Sequence, residues 1–254
     1  HSPLVAARGL RFNSDMRNPI IVALDVPTAD AALKLVEKLA PAIPRVWDDG
    51  IDTVRADLRE WLRRQADATD GWVPDRFELS FDVAERDRAH ADPASVETPV
   101  LVEGGLRLRG AIDLIERHAT NGRLRVTDHK TGKVAAGDGV VVGGGEVLQP
   151  VLYALAAEVL LEAPVDAGRL YYCTAAGGYE QRVVTLDARS RAAARAMVEV
   201  VERALSTGFL PAAPVERACT YCDYRPVCGP YEEMRLKRKP GGRLGDLTRL
   251  RGMP

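Results

Sequence analysis

One charge interrupts an otherwise apolar strand-like run, Ala111-Ile112-Asp113-Leu114-Ile115. An ionised carboxylate inside such a run is costly unless it is paired or holds a cation. Any fold open to this chain must therefore bring a compensating group to Asp113. The sequence places one within reach. Asn121-Gly122 is a hairpin turn signal. The segments on either side, Leu106 to Arg117 and Arg123 to Asp128, are expected as neighbouring antiparallel strands. Asp128 and Lys130 are two residues apart, so they share one face of their strand. Asp113 can reach that face from next door.

Two carboxylates and an ammonium converging at a sheet end suit a hard divalent cation. Such an ion stabilises charge on a phosphate under attack and lowers the pKa of a bound water. Lys130 is placed to orient or deprotonate that water, or to stabilise developing negative charge. Asp-x-Lys also occurs on solvated hairpins as a plain charge cluster, and it is the apolar setting of Asp113 that favours the metal reading. Downstream, Gln149 and Tyr153 stand one helical turn apart and face the same way. The pair suits contact with nucleic acid or support of the catalytic strand, and equally suits an ordinary helix.

The rest of the chain alternates strand and helix patterns. Ile20 to Val26 is a short β-branched run, followed by Thr28 as an N-cap and a helical stripe through Ala32, Leu35, Val36 and Leu39. Pro44 to Ala66 repeats Trp47, Ile51, Val54, Leu58, Trp61 and Leu62 at helical spacing. Arg76 to Val83 alternates as a strand, Ala84 to Thr98 is a polar loop, and a short strand lies near Val100 to Glu103. Gly137 to Gly145 reads as a flexible loop and Glu146 to Glu162 as a helix. Gly168 to Thr174 and Tyr179 to Leu186 form a hairpin about Gly177-Gly178, and Asp187 caps a helix running to Leu205. The basic tail, Arg235 to Arg251, is expected to be mobile.

Composition narrows the partners. The 254 residues carry a net charge of -1, so nucleic-acid contact must use a local basic patch. Aromatic residues make up 6%, too few for a broad base-stacking platform. No apolar run approaches the ~18 residues of a membrane span, and the start lacks the apolar core of a secretory signal. A cytoplasmic protein is therefore expected. The chain lacks a Gly-x-x-x-x-Gly-Lys-Ser/Thr phosphate loop, so ATP-driven unwinding would come from a partner.

The ordered set Gly110-x-x-Asp113, Asp128-x-Lys130 and Gln149-x-x-x-Tyr153 resembles the PD-(D/E)XK nuclease superfamily, in particular the RecB and AddB nuclease domains and the related CRISPR adaptation exonucleases. The resemblance covers about residues 44–233. It implies an α/β fold, a mixed central β-sheet flanked by helices (a restriction-endonuclease-like core), followed by a C-terminal cysteine-rich segment. It implies a Mg²⁺ or Mn²⁺ site, cleavage of DNA phosphodiesters as an exonuclease in recombination and repair, and a helicase or ATPase subunit as partner. By the same likeness Asp113, Asp128 and the His129 carbonyl are metal ligands and Lys130 is the catalytic lysine. Gln149 and Tyr153 form the helical motif, and Glu78 in Arg76-Phe-Glu-Leu-Ser-Phe81 is the upstream acidic residue. A catalytically impaired DNA-binding or scaffold module of the same fold is the alternative.

Cys219, Cys222 and Cys228 sit close together near the C-terminus. Clustered thiolates favour iron-sulfur or zinc sites over disulfides in a reducing compartment. Their segment resembles that of iron-sulfur nucleases, in which a far upstream cysteine completes a [4Fe-4S] cluster; zinc is the other candidate. Here no cysteine precedes Cys173, which reads as a buried structural residue. The family's N-terminal metal-binding His is also not visible: His1, His90 and His118 are expected in solvent. Instead, about residues 17–41 resemble the opening strand and helix of orotidine 5′-phosphate decarboxylase, a (β/α)₈ barrel whose Asp-x-Lys-x-x-Asp pattern the chain lacks, so that a fragment related to that enzyme is a remote further alternative. Residues 1–43 are accordingly expected as an atypical, fusion-derived strand-helix segment. Residues 44–233 would form the nuclease domain and 234–254 the basic tail.

Overall fold

The structure is a computed structural model and describes residues 44–83, 91–229 and 231–254. The expected N-terminal strand and helix, with the decarboxylase likeness, lie outside the described residues, as do His1 and His90. Helix α1 (Pro44–Asp67) leads into strand β1 (Trp72–Phe81). A small ribbon of β2 (Val100–Leu101) and β3 (Arg107–Leu108) precedes β4 (Gly110–His118) and β5 (Leu124–Lys130). Then come α2 (Gln149–Leu161), β6 (Val165–Tyr172), β7 (Gln181–Thr185) and α3 (Ala188–Thr207). The chain closes with three short helices, α4 (Arg225–Cys228), α5 (Glu232–Leu236) and α6 (Gly245–Arg251).

Five strands form one sheet in the order β1-β4-β5-β6-β7. Only the β5–β6 pair is parallel; the others are antiparallel. A parallel pair needs a crossover, and α2 supplies it. This is the mixed sheet flanked by helices that the sequence leads one to expect. The single strand expected over Leu106 to Arg117 is broken at Arg109, because its first residues turn away to pair with β2. β1 begins earlier than its alternation suggests, at Trp72, with a register shift between Pro74 and Arg76.

The turn at Asn121-Gly122 is wider than a two-residue hairpin. Gly122 N–H donates to the His118 carbonyl and the Asn121 side chain accepts from Arg123 N–H. Arg117 consequently pairs with Leu124 and Leu114 with Thr127. Residues on one strand alternate between faces, so Asp128 and Lys130 share one face of β5, while Asp113 stands just past the last paired residue of β4. Asp128 and Lys130 face α2, whereas His129 between them meets Trp61 of α1, with ring centroids 5.6 Å apart. The two helices therefore cover opposite faces of the sheet.

Helix α2 is apolar around most of its circumference, as befits a helix with neighbours on both sides. Pro150 occupies its first turn and sets its start three residues later than the expected Glu146. Its packing on β6 is so close that a Cβ added at Gly168 would lie 1.9 Å from the Pro150 carbonyl oxygen. Backbone on both sides leaves nothing flexible to yield. Gly168→Ala is expected to destabilise the fold by about 3 kcal/mol and lower Tm by roughly 10 °C. Thermal denaturation checks this, and an unchanged Tm would contradict it.

The C-terminal tail departs from expectation. It is helical in α6 rather than mobile, because Leu250 and Met253 form an apolar stripe against Leu152, Met197 and Val198. Asp246 also pairs with Arg203 of α3 through two hydrogen bonds, 2.8 and 2.9 Å. The Gly-rich loop is likewise tied down: Val142 is fully buried, and the N–H groups of Val142 and Gly143 donate to the Pro254 carbonyl. Asp187 caps α3 as expected, in a capping box with Ser190.

Candidate active site

Past the Leu114–Thr127 pair, β4 and β5 no longer share a ladder. The Asp113 carboxylate enters the gap and accepts the His129 backbone N–H at 2.8 Å. The charge that looked costly in the sequence thus replaces a missing strand bond. Asp128 lies deeper, 5% exposed. Its Oδ2 meets Lys130 Nζ at 2.7 Å and its Oδ1 accepts from Gln149 Nε2 at 2.7 Å. Lys130 Nζ in turn donates to Gln149 Oε1 at 2.7 Å. Gln149 therefore bridges the carboxylate and the ammonium, and α2 locks the spacing of the pair.

The Asp128 carboxyl pKa is raised. Burial is the main cause and the neighbouring Asp113 charge adds to it, against the pull of Lys130. Oδ2 touches the ammonium without an aligned hydrogen bond. A buried carboxylate whose charge is felt by a second, neighbouring carboxylate is a donor set that fits a hard cation. Mg²⁺ in particular often takes one or two carboxylates and fills its other positions with water and phosphate.

Tyr153 follows one turn after Gln149 and backs the site. Its ring meets Phe81 edge-on at 6.3 Å, and its hydroxyl lies 3.2 Å from where a Cβ on Gly110 would be. Burial raises its phenol pKa. The glycine of the first motif thus makes room for the tyrosine of the last. Glu78 sits on β1 between Phe77 and Leu79, which pair with Leu114 and Ile112 of β4, and so lies opposite Asp113. Its φ of 52° is left-handed, a conformation costly for a non-glycine residue. Glu78, Asp113 and His129 open on one cleft of about 940 Å³ beneath α1.

Among the described residues no three His, Cys, Asp or Glu side chains gather as a metal site, so the expected iron-sulfur or zinc centre at Cys219, Cys222 and Cys228 finds no support in the structure. A 3₁₀ turn (Ala218–Tyr221) and α4 hold them on separate short elements. Cys219 is engaged with Glu233, which accepts its N–H at 3.1 Å, and burial pushes its thiol pKa up. Cys173 is only partly buried, beside the Lys130 carbonyl. His118 is not free in solvent either: its ring meets Trp72 edge-on at 5.1 Å.

Behind the site lies a buried ionic network that the motifs did not reveal. Glu116 accepts two hydrogen bonds from Arg125, both 2.9 Å, one from Arg169 at 2.8 Å and one from the Thr127 hydroxyl at 2.7 Å. Arg169 also donates to Thr127 Oγ1 at 2.9 Å and to Gln181 at 2.9 Å. The guanidiniums lie over aromatic rings, Arg125 over Trp72 at 4.6 Å and Arg169 over Tyr171 at 5.1 Å. Thr127 precedes Asp128, so the network grips β5 from the face opposite the carboxylate. The available sequence signal was a Glu and an Arg on opposite sides of the Asn-Gly turn, each within a strand-like run.

The mixed sheet and this Asp-Asp-Lys-Gln arrangement are those of a nuclease core. The chain belongs to the PD-(D/E)XK nuclease superfamily, which it matches over residues 23–229. Membership implies metal-dependent phosphodiester hydrolysis, with Mg²⁺ or Mn²⁺ as the ions typical of the superfamily. Comparison with curated proteins gave no significant match. No described helix is long and apolar enough to cross a membrane.

Proposed function

We propose that this chain is a RecB-type deoxyribonuclease that cuts DNA, as an exonuclease in recombination and repair. The observation that carries the reading is the Asp128 carboxylate held between Lys130 and Gln149 with Asp113 opposite. Asp113 and Asp128 would hold the Mg²⁺ or Mn²⁺ ion, with the His129 carbonyl and Glu78 as further ligands. Bound there, the ion supplies compensation for the charge that builds on the scissile phosphate. Lys130 presents its ammonium to a phosphate oxygen and orients the attacking water. Gln149 keeps that ammonium at its post, and Tyr153 braces the strand ends. A helicase or ATPase subunit in the cytoplasm is the partner this reading calls for, and residues 44–233 are its nuclease unit.

Purified protein is expected to degrade linear DNA with Mg²⁺ or Mn²⁺, to stop on chelation and to resume on restoring the ion. Asp113→Asn should lower the rate by roughly 10²-fold or more through lost cation affinity. Full activity in the chelator would sink the reading. A second reading, a DNA-binding module without catalysis, draws on the lack of a third converging ligand side chain among the described residues. DNA binding by folded protein with no cleavage under any divalent ion would establish it.

A further inference from the structure

Charge is unevenly spread along this chain. Residues 209–254 hold nine Lys and Arg against five Asp and Glu, while the whole chain is at -1. The structure sorts these charges by depth. Glu232 is buried at 7% exposure and pairs with both Arg235 and Lys239 at 2.5 Å. Glu233 accepts the Cys219 N–H, and backbone hydrogen bonds hold its pKa low. The two carboxylates are thus spent inside the segment. Arg217, Arg225, Lys237 and Arg238 are exposed, and among the described residues no carboxylate forms an ion pair with them.

Two large aromatic rings are exposed in the same segment. Tyr224 is 74% and Tyr231 73% exposed. Arg217, Arg225 and Tyr231 line one concavity of about 360 Å³ with Glu232 and Glu233. A merely solvated charged face has no reason to hold two large rings in water. Unpaired cations interleaved with open π-faces match a single-stranded nucleic acid, whose phosphates take the charges and whose unstacked bases take the rings.

We propose that the surface formed by Arg217, Arg225, Lys237 and Arg238 with Tyr224 and Tyr231 is a docking site for single-stranded DNA. It holds the strand outside the Asp113–Asp128–Lys130 site. The choice of DNA as occupant rests on the nuclease reading; the surface itself rests on charge and exposure.

The test is binding, not cleavage. Fluorescein-labelled oligothymidylate is titrated by anisotropy against the full chain carrying Lys130→Ala, with Mg²⁺ present, over a salt series. Adding Arg217→Glu, Arg225→Glu, Lys237→Glu and Arg238→Glu together should weaken binding at least tenfold and make the log–log salt slope shallower by roughly 3, at ~0.7 per phosphate contact on a single strand. Tyr224→Ala with Tyr231→Ala should weaken the single strand several-fold and a duplex of the same length little. The charge-conserving exchange Arg217→Lys, Arg225→Lys, Lys237→Arg and Arg238→Lys should keep wild-type affinity, which separates lost charge from lost fold. Unchanged affinity and slope in the glutamate variant would overturn the proposal. So would equal loss on duplex and single strand in the tyrosine variant, or capture by anionic phosphatidylserine vesicles without oligonucleotide binding. Absence of cleavage in the wild type with this charge-dependent binding intact would remove the nuclease reading and leave the surface standing.

Discussion

Replacing Lys130 by alanine is expected to slow DNA cleavage by about 10³-fold while leaving the fold intact. Lys130 is the one cation in the candidate site among the described residues, 2.7 Å from Asp128 and 2.7 Å from Gln149. Removing a preorganised donor from such a site typically costs ~10²–10³ in rate, and loss of a proton-transfer group up to ~10⁴. Its side chain is about one-third exposed, so truncation opens no large cavity. Lys130→Arg should rescue little. A guanidinium is planar, stays protonated and demands forked partners, whereas Gln149 and Asp128 cradle a compact ammonium. The measurement is single-turnover cleavage of linear DNA with Mg²⁺, beside a thermal melt. Activity within tenfold of wild type would move the catalytic role away from Lys130.

Asp113, Asp128 and Lys130 could be placed from the sequence because their constraint is local. A charge in an apolar strand, a turn signal and a two-residue spacing decide which side chains share a face. Register was harder. The Asn-Gly signal does not say how many residues the turn will use, and here Gly122 closes onto His118. The network around Glu116 was hidden for a related reason. Its members come from β4, β5 and β6, and β6 joins only through the α2 crossover, so the Arg169 partner is 53 residues away. The order of the C-terminal tail depends on Leu250 and Met253 finding α3, which composition alone does not show. Cys219, Cys222 and Cys228 could be grouped from the sequence only by spacing, and close spacing does not say whether thiols turn toward one point.

Glu116→Ala is expected to be the most damaging single change to stability, at about 3–5 kcal/mol. Glu116 is 3% exposed, and Arg125 and Arg169, at 7% and 2%, both depend on it. Alanine would leave two guanidiniums buried with their main counter-ion gone; Asp70, which meets Arg125 at 3.2 Å, is half exposed and compensates poorly. A Tm fall of roughly 10–15 °C follows for a chain of this size. Burial pushes the Glu116 carboxyl up, but Arg125, Arg169 and Thr127 outweigh it and hold its pKa below the usual range. The folded value being depressed, the stability it brings is complete above the unfolded carboxylate pKa of ~4.3 and is lost as pH falls through the lower, folded value. Wild type should therefore lose stability on acidification more steeply than the alanine variant, so the two curves converge at low pH. Replacing Glu116, Arg125 and Arg169 together with apolar residues of similar size should recover much of the loss, because no charge is then left uncompensated. Since Thr127 joins this network to the backbone of Asp128, that triple variant also shows whether the network positions the site: stability regained with cleavage still depressed would assign it that role, and a Tm for Glu116→Ala equal to wild type would remove it from the account of the fold.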